Sequence, residues 1–118
     1  MSYLFISLGA IAGAVSRYQI ELWLKPQLSS SFPWSTFLIN VTGSLLIGML
    51  ANLLPDRSDL RLLLMVGFCG SYTTFSTYSL EIVKLLQSGN ASVAIVYLVL
   101  SAITAPLACY LGYAFTSR

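Results

Sequence analysis

Four apolar runs of about twenty residues, near 3–24, 34–54, 62–86 and 91–115, take up almost the whole chain. A bilayer's hydrocarbon layer is about 30 Å thick and an α-helix rises 1.5 Å per residue, so each run is long enough for one crossing. The gaps between them are short and carry turn chemistry: Lys25-Pro26-Gln27-Leu28-Ser29-Ser30-Ser31-Phe32-Pro33, then Pro55-Asp56-Arg57-Ser58-Asp59, then Gln87-Ser88-Gly89-Asn90. Only 8% of the residues are charged, against about a quarter in a soluble domain, and the mean hydropathy is +0.81. The expected fold is an all-α integral membrane protein of four transmembrane helices in a single domain over 1–118. The first run contains the small-residue stretch Ala10-Ile11-Ala12 but continues well past it, with no Lys or Arg before it. It is therefore expected to be a retained span and not a cleaved signal.

Whole classes of function drop out on composition. The chain has no histidine, which removes a His-based triad, a His-ligated metal and a histidine pH switch. A net charge of +2 from scattered basic residues is too little for a nucleic-acid groove. Cys69 and Cys109 both fall inside apolar runs, where they read as small packing residues.

With four spans, both termini share a side with the loop at 55–59. That side carries Arg57, Arg61 and Arg118, while the other carries Lys25 and Lys84, with Arg17 nearby. Three against three gives the positive-inside rule nothing to choose, so the expectation is dual topology with copies pairing antiparallel. A lone four-helix bundle has no room for a pore, which places function in the oligomer. Gly9 and Gly13, and the set Ser101, Ala105 and Cys109 beside Ala108 and Gly112, mark faces where backbones approach closely, within a subunit or between subunits.

The third run breaks the apolar pattern. Ser71-Tyr72-Thr73-Thr74-Phe75-Ser76-Thr77-Tyr78-Ser79 places six hydroxyl residues and three aromatics in nine positions, just after Gly67 and Gly70. One hydroxyl can bond back to the preceding turn, but six exceed that need. The composition predicts a helix interrupted at mid-membrane, with freed carbonyls that protein, water or an ion must satisfy. Tyr72, Phe75 and Tyr78 recur every three residues, and ring edges carry positive potential suited to an anion. Asn40 offers two amide donors from the second run, and Tyr97, Ser101 and Thr104 are spaced to line a face of the fourth. Pro106 should kink that helix. Arg17 and Glu21 stand one turn apart and can pair. Glu81 and Lys84 fall in the last turns of the third run, where they hydrate or pair, although a carboxylate inside a span is a functional candidate. The inventory is rich in neutral donors and lacks both a midplane carboxylate row and the groupings of an enzyme. It fits a pore in which such donors replace the water shell of a small anion.

The stretches GAIAGAVSRY, STFLINVTGSLLIG and GFCGSYTTFSTYSLE resemble the CrcB/Fluc family of fluoride channels over the whole chain. The resemblance implies a multi-pass protein of a bacterial-type plasma (inner) membrane, forming an antiparallel, dual-topology homodimer with two fluoride pores that export the ion. It implies a structural sodium ion held between subunits by the backbone carbonyls of Gly70 and Thr73. Asn40 matches the family's pore asparagine, and Phe75 the first ring of its aromatic pair. Thr77, Tyr97, Ser101 and Thr104 match its hydroxyl track, and Arg17 a vestibule or structural arginine. Tyr78 stands where the second ring is usually Phe, and Ser71-Tyr72 replaces a more usual Gly-Leu. Two other classes fit the sequence less well. A small multidrug exporter needs a carboxylate in the middle of the first span, and residues 8–16 hold none. A non-transporting scaffold leaves the hydroxyl cluster without a purpose.

Overall fold

A computed structural model describes residues 1–28 and 30–117; Ser29 and Arg118, the latter one of the three basic residues assigned above to the side of the termini, lie outside the described residues. The order is α1 (Ser2–Leu24), α2 (Trp34–Leu53), a short α3 (Asp59–Arg61) passing into a π-helical stretch (Leu62–Cys69), α4 (Gly70–Tyr72), α5 (Phe75–Gln87) and α6 (Ala91–Thr116). The described residues contain no strand. Two of the helices, α2 and α6, are long and apolar enough to cross a membrane. The third apolar run is divided into short pieces.

Helices pair alternately along the chain, and glycine sets both pairings. A Cβ on Gly9 would strike the Leu63 carbonyl, and one on Gly13 the Phe68 carbonyl and Ser71 Oγ, so α1 lies directly on the π-helical stretch. A Cβ on Gly48 would strike the Cys109 carbonyl, and one on Gly112 the Leu45 carbonyl, so α2 lies on α6. Gly48 meets Cys109 while Asn52 Nδ2 donates to the Tyr113 carbonyl at 2.7 Å, so these two helices run parallel. The close-approach glycines are thus used inside the protomer. Ser101 and Ala105 instead line a cavity.

The turns follow from their residues. Gly89 takes φ +83, with its N–H on the Leu86 carbonyl and the Asn90 N–H on the Leu85 carbonyl. This closes α5 by the left-handed glycine motif and sends α6 back antiparallel. Ser58 caps α3 by accepting from the Arg61 N–H at 3.1 Å. Arg61 in turn donates to the Leu54 carbonyl at 3.1 Å and pairs with Asp56 at 3.5 Å, tying the end of α2 to the start of the third run. α6 continues as helix through Pro106.

Tyr97, Ile39, Thr36 and Cys69 are the largest fully buried side chains. Tyr78, Leu85, Ala94 and Tyr97 pack α5 against α6, with Phe32 and Phe37 over them. Large apolar side chains including Tyr3, Ile11, Ile95, Ile103 and Phe115 are exposed along the helices, as lipid or a partner helix requires and water does not.

Candidate functional site

The chain leaves the helix at Thr73 (φ −80, ψ 156) and Thr74 (φ −147, ψ 120). The glycines are not where it breaks, since Gly70 is itself helical at φ −63, ψ −32. Buried backbone groups need partners, and two of those freed here, the Thr74 N–H and the Ser71 carbonyl, find them far away in sequence. Asn40 on α2 clamps Thr74 from both sides: its Oδ1 accepts from the Thr74 N–H at 2.8 Å and its Nδ2 donates to the Thr74 carbonyl at 3.0 Å. Arg17 Nε on α1 donates to the Ser71 carbonyl at 3.3 Å, and Arg17 Nη1 lies 3.7 Å from Glu21. Thr74 Oγ1 starts α5 by accepting from the Thr77 N–H at 3.2 Å.

Three carbonyls are left over by this arrangement, that of Tyr72, whose donor in a continuous helix would be the Ser76 N–H, among them. In a continuous helix the Gly70 carbonyl would accept from the Thr74 N–H and the Thr73 carbonyl from the Thr77 N–H. Both amides are bonded elsewhere, to Asn40 and to Thr74 Oγ1. Gly70 is also exposed. Two hard oxygens on one exposed break are the donor chemistry that suits an alkali or alkaline-earth cation, so the residues fit the sodium implied by the family resemblance.

Beside the break lies a cavity of about 430 Å³. Asn40, Gly43 and Ser44 form its α2 wall, Gly70, Thr73 and Thr74 its edge at the break, and Ser101, Ala105 and Pro106 its α6 wall. Phe75 and Tyr78 line it with their rings, whose centroids are 5.6 Å apart. Phe75 is 78% exposed, an unusual state for a ring beside a cavity of its own protomer. Asn40 spends one of its two amide hydrogens on Thr74 and keeps the other. Ser101 Oγ is buried with no hydrogen-bond partner. That oxygen has almost no accessible surface of its own, so the Ser101 side chain must rotate before its hydroxyl can bond anything in the cavity.

Six of the residues expected at the site therefore meet here: Asn40, Gly70, Thr73, Phe75, Tyr78 and Ser101. The other four are placed around it. Thr77 supports the break through its amide, and Thr104 Oγ1 bonds back to the Leu100 carbonyl at 2.7 Å. Arg17 acts on the break from α1, as described. Tyr97 is wholly buried, and its hydroxyl donates to Glu81 Oε1 at 2.8 Å. Tyr72, grouped by its spacing with Phe75 and Tyr78, is separated from them because the break falls between; it stacks on Phe68 at 5.5 Å.

Tyr78 finds a partner for the hydroxyl that a phenylalanine would lack, donating to the Leu98 carbonyl at 2.8 Å. Its ring meets Tyr97 edge-on at 5.0 Å, and Tyr97 meets Phe32 edge-on at 5.3 Å. A row of rings thus runs from the loop before α2 to Phe75 at the cavity. Glu81, expected to hydrate or pair in the last turns of the third run, is held by side chains of α2 and α6. Thr36 Oγ1 donates to its Oε2 at 3.0 Å while Tyr97 holds Oε1. The available signal was Thr36 one turn before Asn40 on the same helix face.

Residues 4–113 match the family described as CrcB-like protein, Camphor Resistance (CrcB). A protein of Acidobacterium capsulatum named Fluoride-specific ion channel FluC is 39% identical, over the whole of this chain and 98% of its own length. A Fluoride-specific ion channel FluC 1 of Ligilactobacillus salivarius is 45% identical, covering 91% of this chain and 92% of that protein. The FluC of Hahella chejuensis is 40% identical over 95% of this chain and 91% of its own. With a family match over nearly the full length and relatives this similar end to end, the chain belongs to the CrcB/Fluc family.

Proposed function

We propose that this chain is the protomer of a fluoride-selective channel in a bacterial-type plasma membrane, releasing cytoplasmic fluoride down its gradient. The observation that carries the proposal is the largely apolar cavity beside the helix break with a few neutral donors on its wall, the unpartnered Ser101 hydroxyl and the spare Asn40 amide hydrogen among them. The names of the end-to-end relatives supply the ion. Conduction needs sites that bind an ion well enough to admit it and weakly enough to release it. Hydroxyl and amide donors, with the positive edges of Phe75 and Tyr78, replace water around the ion without trapping it.

The finer architecture is part of the same proposal. Four membrane crossings, with the third formed by the π-helical stretch, α4 and α5, give a protomer whose cavity wall is completed by a second, antiparallel copy. Two such copies carry two pores. The Gly70 and Thr73 carbonyls of each would hold a sodium ion between them, supplying a positive charge that draws the two breaks together. Exposed Phe75 is the ring that the partner copy covers.

Ion efflux from liposomes containing the purified protein, with fluoride and chloride followed in parallel, is the test. Fast fluoride release without chloride release, lost on Phe75→Ile, is expected. Release of neither ion from a verified folded oligomer overturns the proposal.

A further inference from the structure

The break is tethered by side chains that the pore does not use. Ser71 Oγ donates to the Ala10 carbonyl of α1 at 2.8 Å and lies 2.9 Å from the Gly67 carbonyl. The next residue turns to a different helix: Tyr72 OH shares a hydrogen bond of 3.0 Å with Thr42 Oγ1 of α2. Tyr72 is buried, stacked on Phe68 and pressed against Gly43, where a Cβ would meet its ring at 3.0 Å. These two residues lie between Gly70 and Thr73, whose carbonyls, like that of Tyr72 itself, are left without helical donors.

We propose that Ser71 and Tyr72 are positioning residues that fix the rotation of the Gly70–Thr73 segment and so aim the Gly70 and Thr73 carbonyls at one point. A segment tied on one side can still roll about that tie, and rolling would swing its carbonyls apart. Ties to α1 and α2 from consecutive residues, added to the hold of Arg17 on the Ser71 carbonyl, remove that freedom. Asn40 cannot do this alone, because it grips Thr74, beyond the segment. The proposal rests on the reading of those carbonyls as a sodium site, and it makes sodium affinity a property of two side chains that never touch the ion.

The experiment is a thermal-unfolding titration of the purified, detergent-solubilised oligomer in sodium chloride. Choline chloride is exchanged for it to hold ionic strength, and liposome fluoride efflux is measured alongside. Tyr72→Phe keeps the ring and its stack but loses the bond to Thr42, and Ser71→Ala loses the bond to Ala10. Each should raise the sodium concentration for half-maximal stabilisation about three- to tenfold, the effect of one ordinary hydrogen bond. Thr42→Val breaks the same bond as Tyr72→Phe from the other helix, so the double variant should show no further shift. Ser7→Ala, which removes an exposed bond to Tyr3, should leave the midpoint unchanged. Sodium midpoints equal to that of the unaltered protein in both Tyr72→Phe and Thr42→Val would overturn the positioning role alone. An unaltered protein whose stability ignores sodium at every concentration would overturn the sodium site, and the positioning role with it.

Discussion

Asn40 sets where the third run breaks, through two hydrogen bonds to one residue. Asn40→Ala leaves the Thr74 N–H and carbonyl without partners, and such losses cost about 1–3 kcal/mol each when buried. A lowered melting temperature together with lost fluoride efflux is expected; unchanged melting would show that the break holds without the clamp. Tyr78→Phe should cost about 1 kcal/mol for the bond to Leu98 yet keep fluoride flux, because the ring and its edge remain. Flux lost without loss of fold would mean that the hydroxyl itself meets the ion. Glu81→Leu strands two buried donors, on Thr36 and Tyr97, and should destabilise more than either neighbour's own removal, as read by thermal unfolding of the three variants. The presence of a break was legible in the Gly and Ser/Thr cluster, but its place was not. It is fixed by an amide 34 residues earlier, and nothing local distinguishes Thr73-Thr74 from the hydroxyl residues around them. The role of Glu81 was hidden for the same reason, since its partners come from α2 and α6.

Among the elements, the run lengths and turns followed directly from hydropathy and Pro/Gly chemistry, and the helix ends match them closely. The π-helical stretch was not legible, because Leu62–Cys69 is apolar at every position except its glycine and so carries no phase that could reveal a wider turn. The glycine faces were visible, while their partners were not. Backbone approach can be read from small side chains, but which helix approaches depends on the packing of the whole protomer. Gly48→Ala pushes a methyl into the Cys109 carbonyl and should destabilise the α2–α6 pair by about 1–3 kcal/mol, measured as a lower melting temperature. Gly70→Ala is the contrast. Its Cβ would meet nothing nearer than the Met65 carbonyl at 3.8 Å, so the protomer fold should be unaffected by far-UV circular dichroism.

For the whole molecule, the same Gly70 tests assembly. If the break of one copy faces that of another, a methyl there that the protomer tolerates should still weaken the oligomer, seen as a shift toward monomer by light scattering in detergent. An oligomer unchanged by Gly70→Ala would place the interface elsewhere. The protomer measures 47 × 30 × 22 Å along its principal axes, and the longest dimension matches a bilayer with its headgroups, about 40–45 Å. The tethers of the break also have an order in time. Ala10, Arg17, Asn40 and Thr42 all precede it in the chain, so a ribosome making this protein has already delivered every one of these anchors when Thr73 emerges. α6, which comes last, packs on α2, closes the cavity and bonds α5 through Tyr97 and the Leu98 carbonyl. The anchors of the break are therefore outside the ribosome before the final helix has left it.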